Sequence, residues 1–185
     1  VLAALISAGR AGAAPADTLH ALLKDYDSYL AKVDPVTAGE RGDLAAARRW
    51  PDDSPAEVSV RHREVQEFHD RLTAIRPADL AGEDALNRAL LADRVDLDLA
   101  GSAFDEERMP FTSDEGFFTL PAEMAGETRL RGPAEADAYL ARLAALPAFY
   151  ASETADMRRG IATGFVQPRL IALAAARAGA GLQDR

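Results

Sequence analysis

Cysteine is missing from all 185 residues. Its absence excludes disulfides, thiolate nucleophiles, Cys-ligated zinc and a lipid-attachment cysteine. It does not fix the compartment. Histidine is scarce, with His20, His62 and His69 alone, and Lys24 and Lys32 are the only lysines. The remaining basic residues are arginine, a bias expected of GC-rich coding and not of a binding surface. Positive charge as a whole is in deficit: 21 Lys and Arg against 30 Asp and Glu give a formal net charge of -9. Such a chain repels phosphate backbones, which disfavours a nucleic-acid partner. No apolar run approaches the ~20 residues a membrane-crossing helix needs. The chain also lacks G-x-S-x-G, a P-loop and G-x-G-x-x-G, so neither a nucleophile elbow nor a phosphate-cradling loop is legible.

What is present suits one globular domain. Apolar residues make up 48% and charged residues 28%, enough to build a core and to solvate its surface. Val1-Leu2-Ala3-Ala4-Leu5-Ile6 is apolar, small residues follow to Ala14-Pro15, and Ala11-Gly12-Ala13 fits an A-x-A cleavage site. Residues 1–14 therefore read as the back half of a secretory signal peptide. The missing initiator Met agrees with truncation, and 15–185 is the expected mature region. This predicts export to the periplasm or beyond, with no membrane span left after cleavage.

Hydrophobic periodicity predicts an all-α fold, an irregular multi-helix bundle with one long loop. A first helix spans Asp17 to Val33, with Asp17 as N-cap and Leu19, Leu22, Leu23, Tyr26 and Leu30 on one face. Ser54-Pro55-Ala56-Glu57 reads as a capping box opening a helix to about Ile75. A third helix runs from about Glu83 to Phe104. Leu86, Leu90 and Leu97 form one strip on it and Leu91, Val95 and Leu99 another, so contact with more than one neighbour is expected. Residues 105–132 hold Pro110, Gly116, Pro121, Gly126 and Gly132 and read as a long loop, with a helical turn near Ala122 to Ala125. Gly132-Pro133 opens a helix with Tyr139, Leu140, Leu143 and Leu146 inward, broken at Pro147. The next carries Phe149, Met157 and Ile161 and stops at Gly164. A last helix runs from Arg169 to about Ala178. Val36-Thr37 and Gly164-Phe165-Val166 are the only extended candidates.

No complete site emerges from these residues. His62 and His69 are seven positions apart, roughly 10 Å along a helix, too far to share one ion at zinc–nitrogen distances of about 2 Å. Asp96, Asp98, Gly101 and Glu107 imitate an EF-hand, but Ala100 stands where an oxygen ligand is required. Asp105, Glu106, Glu107, Asp114, Glu115, Glu123 and Glu127 outweigh Arg108 and read as a solvated acidic surface. Arg129 and Arg131 are able to hold a carboxylate, with surface ion pairing as the plainer expectation. No catalytic and no metal-ligating residue is assigned.

Four stretches carry a resemblance: Asp34-Pro35-Val36-Thr37-Ala38; Arg49-Trp50-Pro51-Asp52-Asp53-Ser54-Pro55; Ala78-Asp79-Leu80 with Leu86 to Leu91; and Ala134 to Leu146 with Met157-Arg158-Arg159-Gly160-Ile161-Ala162-Thr163-Gly164-Phe165-Val166-Gln167-Pro168-Arg169. Through them the chain resembles the N-terminal part of the exported bacterial family catalogued as domain of unknown function 885. Members of that family look like zincin-type metallopeptidases with a metal motif far downstream. The resemblance implies a non-catalytic wall of a substrate cleft, packed against downstream helices of the same chain. Zinc is expected in that downstream part and no cofactor in these residues. The loop from Asp105 to Gly132 is then the part that faces a peptide substrate, with Phe117, Phe118, Leu120 and Arg129 as cleft candidates. A free-standing periplasmic helical binding or adaptor module is the alternative from another class.

Overall fold

A computed structural model describes residues 14–183. The proposed signal-peptide segment therefore lies outside the described residues, apart from Ala14. Among the described residues the chain is all-α, with eight helices: α1 Pro15–Val33, α2 Pro35–Glu40, α3 Pro55–Thr73, α4 Gly82–Gly101, α5 Leu120–Glu127, α6 Pro133–Ala144, α7 Leu146–Thr163 and α8 Arg169–Gln183. No strand is formed among them; Phe111 and Gly116 make one isolated antiparallel bridge.

Local chemistry explains most boundaries. Ser54 Oγ accepts from the Glu57 N–H at 3.4 Å, and Pro55 occupies the first turn of α3. The expected capping box closes differently. The Ser54 N–H donates to Asp52 Oδ1 at 3.0 Å, and the Glu57 carboxylate pairs with Lys32 at 3.0 Å. Helix α1 starts two residues earlier than the sequence suggests, behind Ala14, so Asp17 sits in its first turn and is not its N-cap. Gly164 ends α7 at φ +73°, the left-handed geometry expected of a terminal glycine. Val36-Thr37 is a correction: both lie in α2, where Pro35 opens the helix and Asp34 Oδ1 accepts from the Thr37 N–H at 3.0 Å.

Two apolar clusters hold the helices. The larger joins α1, α3 and α4 through Leu19, Leu22, Tyr26, Val65, Phe68, Leu72, Leu91 and Val95, with Ile75 beside them. The smaller gathers Trp50, Met124 and Phe149, flanked by Val36, Phe117, Leu120, Tyr139 and Leu146. In α4 the strip of Leu91 and Val95 packs inward, whereas Leu86, Leu90 and Leu97 are 58%, 60% and 63% exposed. On α6 the expected inward face holds in part: Tyr139, and Leu146 just after the helix, pack against the smaller cluster, but Leu140 and Leu143 do not. Leu140, Leu143 and Ile161 are exposed, while Ala138, Arg142, Phe149, Glu153 and Asp156 are buried. Phe111, Phe117 and Phe118 in the long loop are half-buried.

Candidate functional site

Helix α2 and the 3₁₀ turn Ala46–Arg48 face α6 and the end of α5 across a cleft of about 830 Å³. Both sides of it are fixed by short-range capping and one buried side chain. Asp43 Oδ1 accepts from the N–H groups of Ala45 and Ala46 at 2.9 and 3.0 Å, which sets the turn. Arg142 on α6 is 4% exposed. Its Nη2 donates to the carbonyls of Pro35 and Ala46 at 3.0 and 3.1 Å, and its Nη1 meets Met124 Sδ. Its buried Nε has no acceptor among the described residues. In return the Trp50 indole N–H donates to the Arg142 carbonyl at 2.8 Å, and Trp50 stacks on Phe149 at 5.0 Å. Gly39 lets α2 come this close, since a Cβ there would lie 2.9 Å from Arg142 Nη2 and 3.0 Å from Ala47 Cα.

Burial pushes the Arg142 guanidinium pKa down, partly offset by Glu40. An arginine keeps its proton in such a place, so a buried positive charge sits at the base of the cleft with no carboxylate bonded to it. Arg41, Arg129 and Arg131 also line the cleft. All three are exposed, and none forms an ion pair among the described residues. The plainer expectation for Arg129 and Arg131, surface ion pairing, does not hold there. Glu40, Glu127 and Glu135 line the same cleft, which leaves the four arginines in slight excess on a chain of net charge -9.

The four candidate cleft residues separate into two groups. Phe117 and Leu120 pack against the Trp50–Met124–Phe149 cluster, and Phe118 meets Phe117 edge-on at 5.9 Å. Arg129 does not join them; it lines the cleft beside Arg131.

A second polar cluster went unseen in the sequence. Glu153 and Asp156 on α7 are each 2% exposed. Burial, then the nearby Asp53, Asp156 and Asp52, push the Glu153 carboxyl up to about 7, and its Oε1 has no partner among the described residues. Asp156 Oδ1 accepts from Arg159 at 2.9 Å, and Arg159 also binds the Asp105 carboxylate. Arg61 donates to Asp53 at 2.8 Å, to the Asp52 carbonyl at 2.9 Å and to Glu107 at 3.4 Å. Asp105 and Glu107, read from the sequence as solvated, are thus tied into ion pairs. The spacing of Phe149, Glu153, Asp156 and Gly160 at four, three and four residues was the available signal, but it asks for carboxylates on a core face.

No group of three His, Asp or Glu side chains able to hold a metal occurs among the described residues. His20 meets Asp84 at 2.8 Å; His69 meets Asp70 at 3.3 Å and Asp96 at 3.8 Å. The EF-hand-like stretch from Asp96 to Gly101 lies inside α4.

The family model described as "Bacterial protein of unknown function (DUF885)" matches residues 35–184. The chain belongs to this family. No curated protein and no solved structure gave a match. In this DUF885 chain three of the stretches that carry the resemblance supply caps and close contacts of the fold. Asp34 and Pro35 start α2, Trp50 bonds the Arg142 carbonyl and Ser54 caps α3. Gly160 allows close passage of the loop, because a Cβ there would fall 2.8 Å from the Arg108 carbonyl oxygen. Gln167 Nε2 donates to the Phe111 carbonyl at 2.7 Å, fastening the same loop to the segment after α7.

Proposed function

We propose that this chain is a non-catalytic N-terminal helical wall of an exported zinc metallopeptidase-like hydrolase, shaping its substrate cleft against downstream helices. One observation carries the reading: the outer strip of α4, Leu86, Leu90 and Leu97, is well over half exposed, as is Leu170 of α8 at 77%. Apolar side chains in such rows favour burial by about 25 cal/mol per Å², and further helices of the same chain would supply the cover. His20, His62 and His69 do not fit a zinc site, so the proposed zinc belongs to the downstream part of the full-length protein. A peptide would reach the Arg129 side of the wall, where the open cleft lies.

The test is to read the coding sequence beyond Arg185 and assay the full product. A downstream helix bearing His-Glu and a further His, with chelator-sensitive peptide hydrolysis absent from this chain alone, is the expected result. A stop codon directly after Arg185 would overturn the proposal in favour of a free-standing periplasmic helical binding module. The half-buried loop phenylalanines, which need no further cover, favour that second reading.

A further inference from the structure

The cleft between α2 and α6 combines three features that bear on a ligand. It is roomy, at about 830 Å³. Its exposed arginines, Arg41 on one side and Arg129 and Arg131 on the other, are in no ion pair among the described residues. At its base the Arg142 charge is buried and met only by carbonyls and a thioether. A charge in a low-dielectric site that no carboxylate neutralises projects its field into the nearest open space. The planar guanidinium offers paired donors that match the two oxygens of a carboxylate. Leu44, Met124 and Tyr139 give the same cleft an apolar part. The glutamates of the lining work against a highly charged anion and leave room for a single negative charge.

From these features we infer that the cleft binds a ligand with one free carboxylate next to an apolar group, Arg129 and Arg131 gripping the carboxylate over the buried Arg142. The inference concerns this chain's own residues and stands apart from the hydrolase reading, since binding is measured without turnover. The carboxylate can end a peptide or belong to a small organic acid; both present the same group to the arginines.

The experiment is calorimetric titration of the protein with acetyl-Ala-Ala-Leu as free acid, the same peptide as C-terminal amide, isovalerate and inorganic phosphate. The acid is expected to bind at least about tenfold more tightly than the amide, the span of one charge-assisted contact. R129A/R131A should lose that advantage. R63A/R158A, which removes the same charge from exposed residues elsewhere, should keep it. Isovalerate binding that is lost in R129A/R131A supports the same site and makes a small acid its ligand; peptide binding without isovalerate binding supports it with a peptide terminus as the source. Equal affinity for acid and amide would overturn the inference. So would phosphate binding as tight as either carboxylate, or an equal loss in both double variants. Arg129 and Arg131 are exposed, so folding should survive their removal. R41A, on the opposite wall, gives a second reading, with weakened acid binding expected and unchanged binding counting against the site.

Discussion

Arg142 and Glu153 are two buried ionisable side chains, Arg142 lying over the Trp50 ring of the Trp50–Phe149 stack. Glu153 follows Phe149 by one helical turn, and its pKa of about 7 lies above the 4.5 of a free carboxyl. A carboxyl raised on folding favours the protonated native state. Its contribution is intact below about pH 4.5 and is lost as pH rises through 7. The loss should reach about 3 kcal/mol above that window. Glu153→Gln should therefore stabilise the protein at pH 8 and leave it nearly unchanged at pH 4; urea midpoints of parent and variant running parallel across that range would contradict this. Arg142→Ala should lower stability by about 3 kcal/mol, because it removes two buried charge-assisted hydrogen bonds, to the Pro35 and Ala46 carbonyls, although the Ala46 oxygen keeps the Arg49 N–H. Equilibrium unfolding at pH 7 checks it, and a change below about 0.5 kcal/mol would mean that water replaces the guanidinium. Neither residue was legible in the sequence. Charged side chains are read as outward by default, so the apolar pattern of α6 centres on Leu140 and Leu143. The observed inward face uses Ala138 and Arg142. A buried arginine bonded to carbonyls leaves no periodic trace.

Helix ends with strong local chemistry were the most legible elements. Ser54-Pro55, Gly132-Pro133 and Gly164 mark boundaries that the structure keeps within a residue. Gly164 offers a check, since its φ of +73° disfavours any Cβ. Gly164→Ala should cost about 1 kcal/mol, read as a lower thermal midpoint with the same helical signal; an unchanged midpoint would show that α7 unwinds at its end without penalty. The short helices were harder. Helix α2, Pro35–Glu40, has a β-branched pair and a glycine in six residues, a composition too poor and too short to nucleate alone. It is helical because Asp34 caps it and Arg142 holds its Pro35 carbonyl, a contact made 107 residues away. Helix α5 reads from the sequence as no more than a turn near Ala122 for the same reason: Pro121 and Gly126 mask it, and Met124 buries it.

At the scale of the whole molecule, the all-α class followed from periodicity, but the way α4 divides its two strips did not. Periodicity shows that both strips are apolar and cannot show which one faces α1 and α3. Leu91 and Val95 fill the core, leaving Leu86, Leu90 and Leu97 outside. An exposed row of this kind drives association. The chain should self-associate reversibly at high concentration, and L90Q/L97Q should make it monomeric with unchanged circular dichroism. Light scattering decides between this and a chain that stays monomeric at every concentration, which would weaken the case for missing neighbours. The cleft was the least legible feature at this scale, because its two walls come from residues 39–47 and 124–142.

The sequence distances spanned by the Arg142 bonds, 107 residues to Pro35 and 96 to Ala46, impose an order of assembly. The α1–α3–α4 core has all its buried members once Val95 has been made, so it can close while the rest of the chain is still being synthesised. Residues 35 to 48 must wait, tethered between α1 and α3 but without their anchor, until α6 arrives. During that interval a protease or chaperone meets one finished helical core with a loose strap across it.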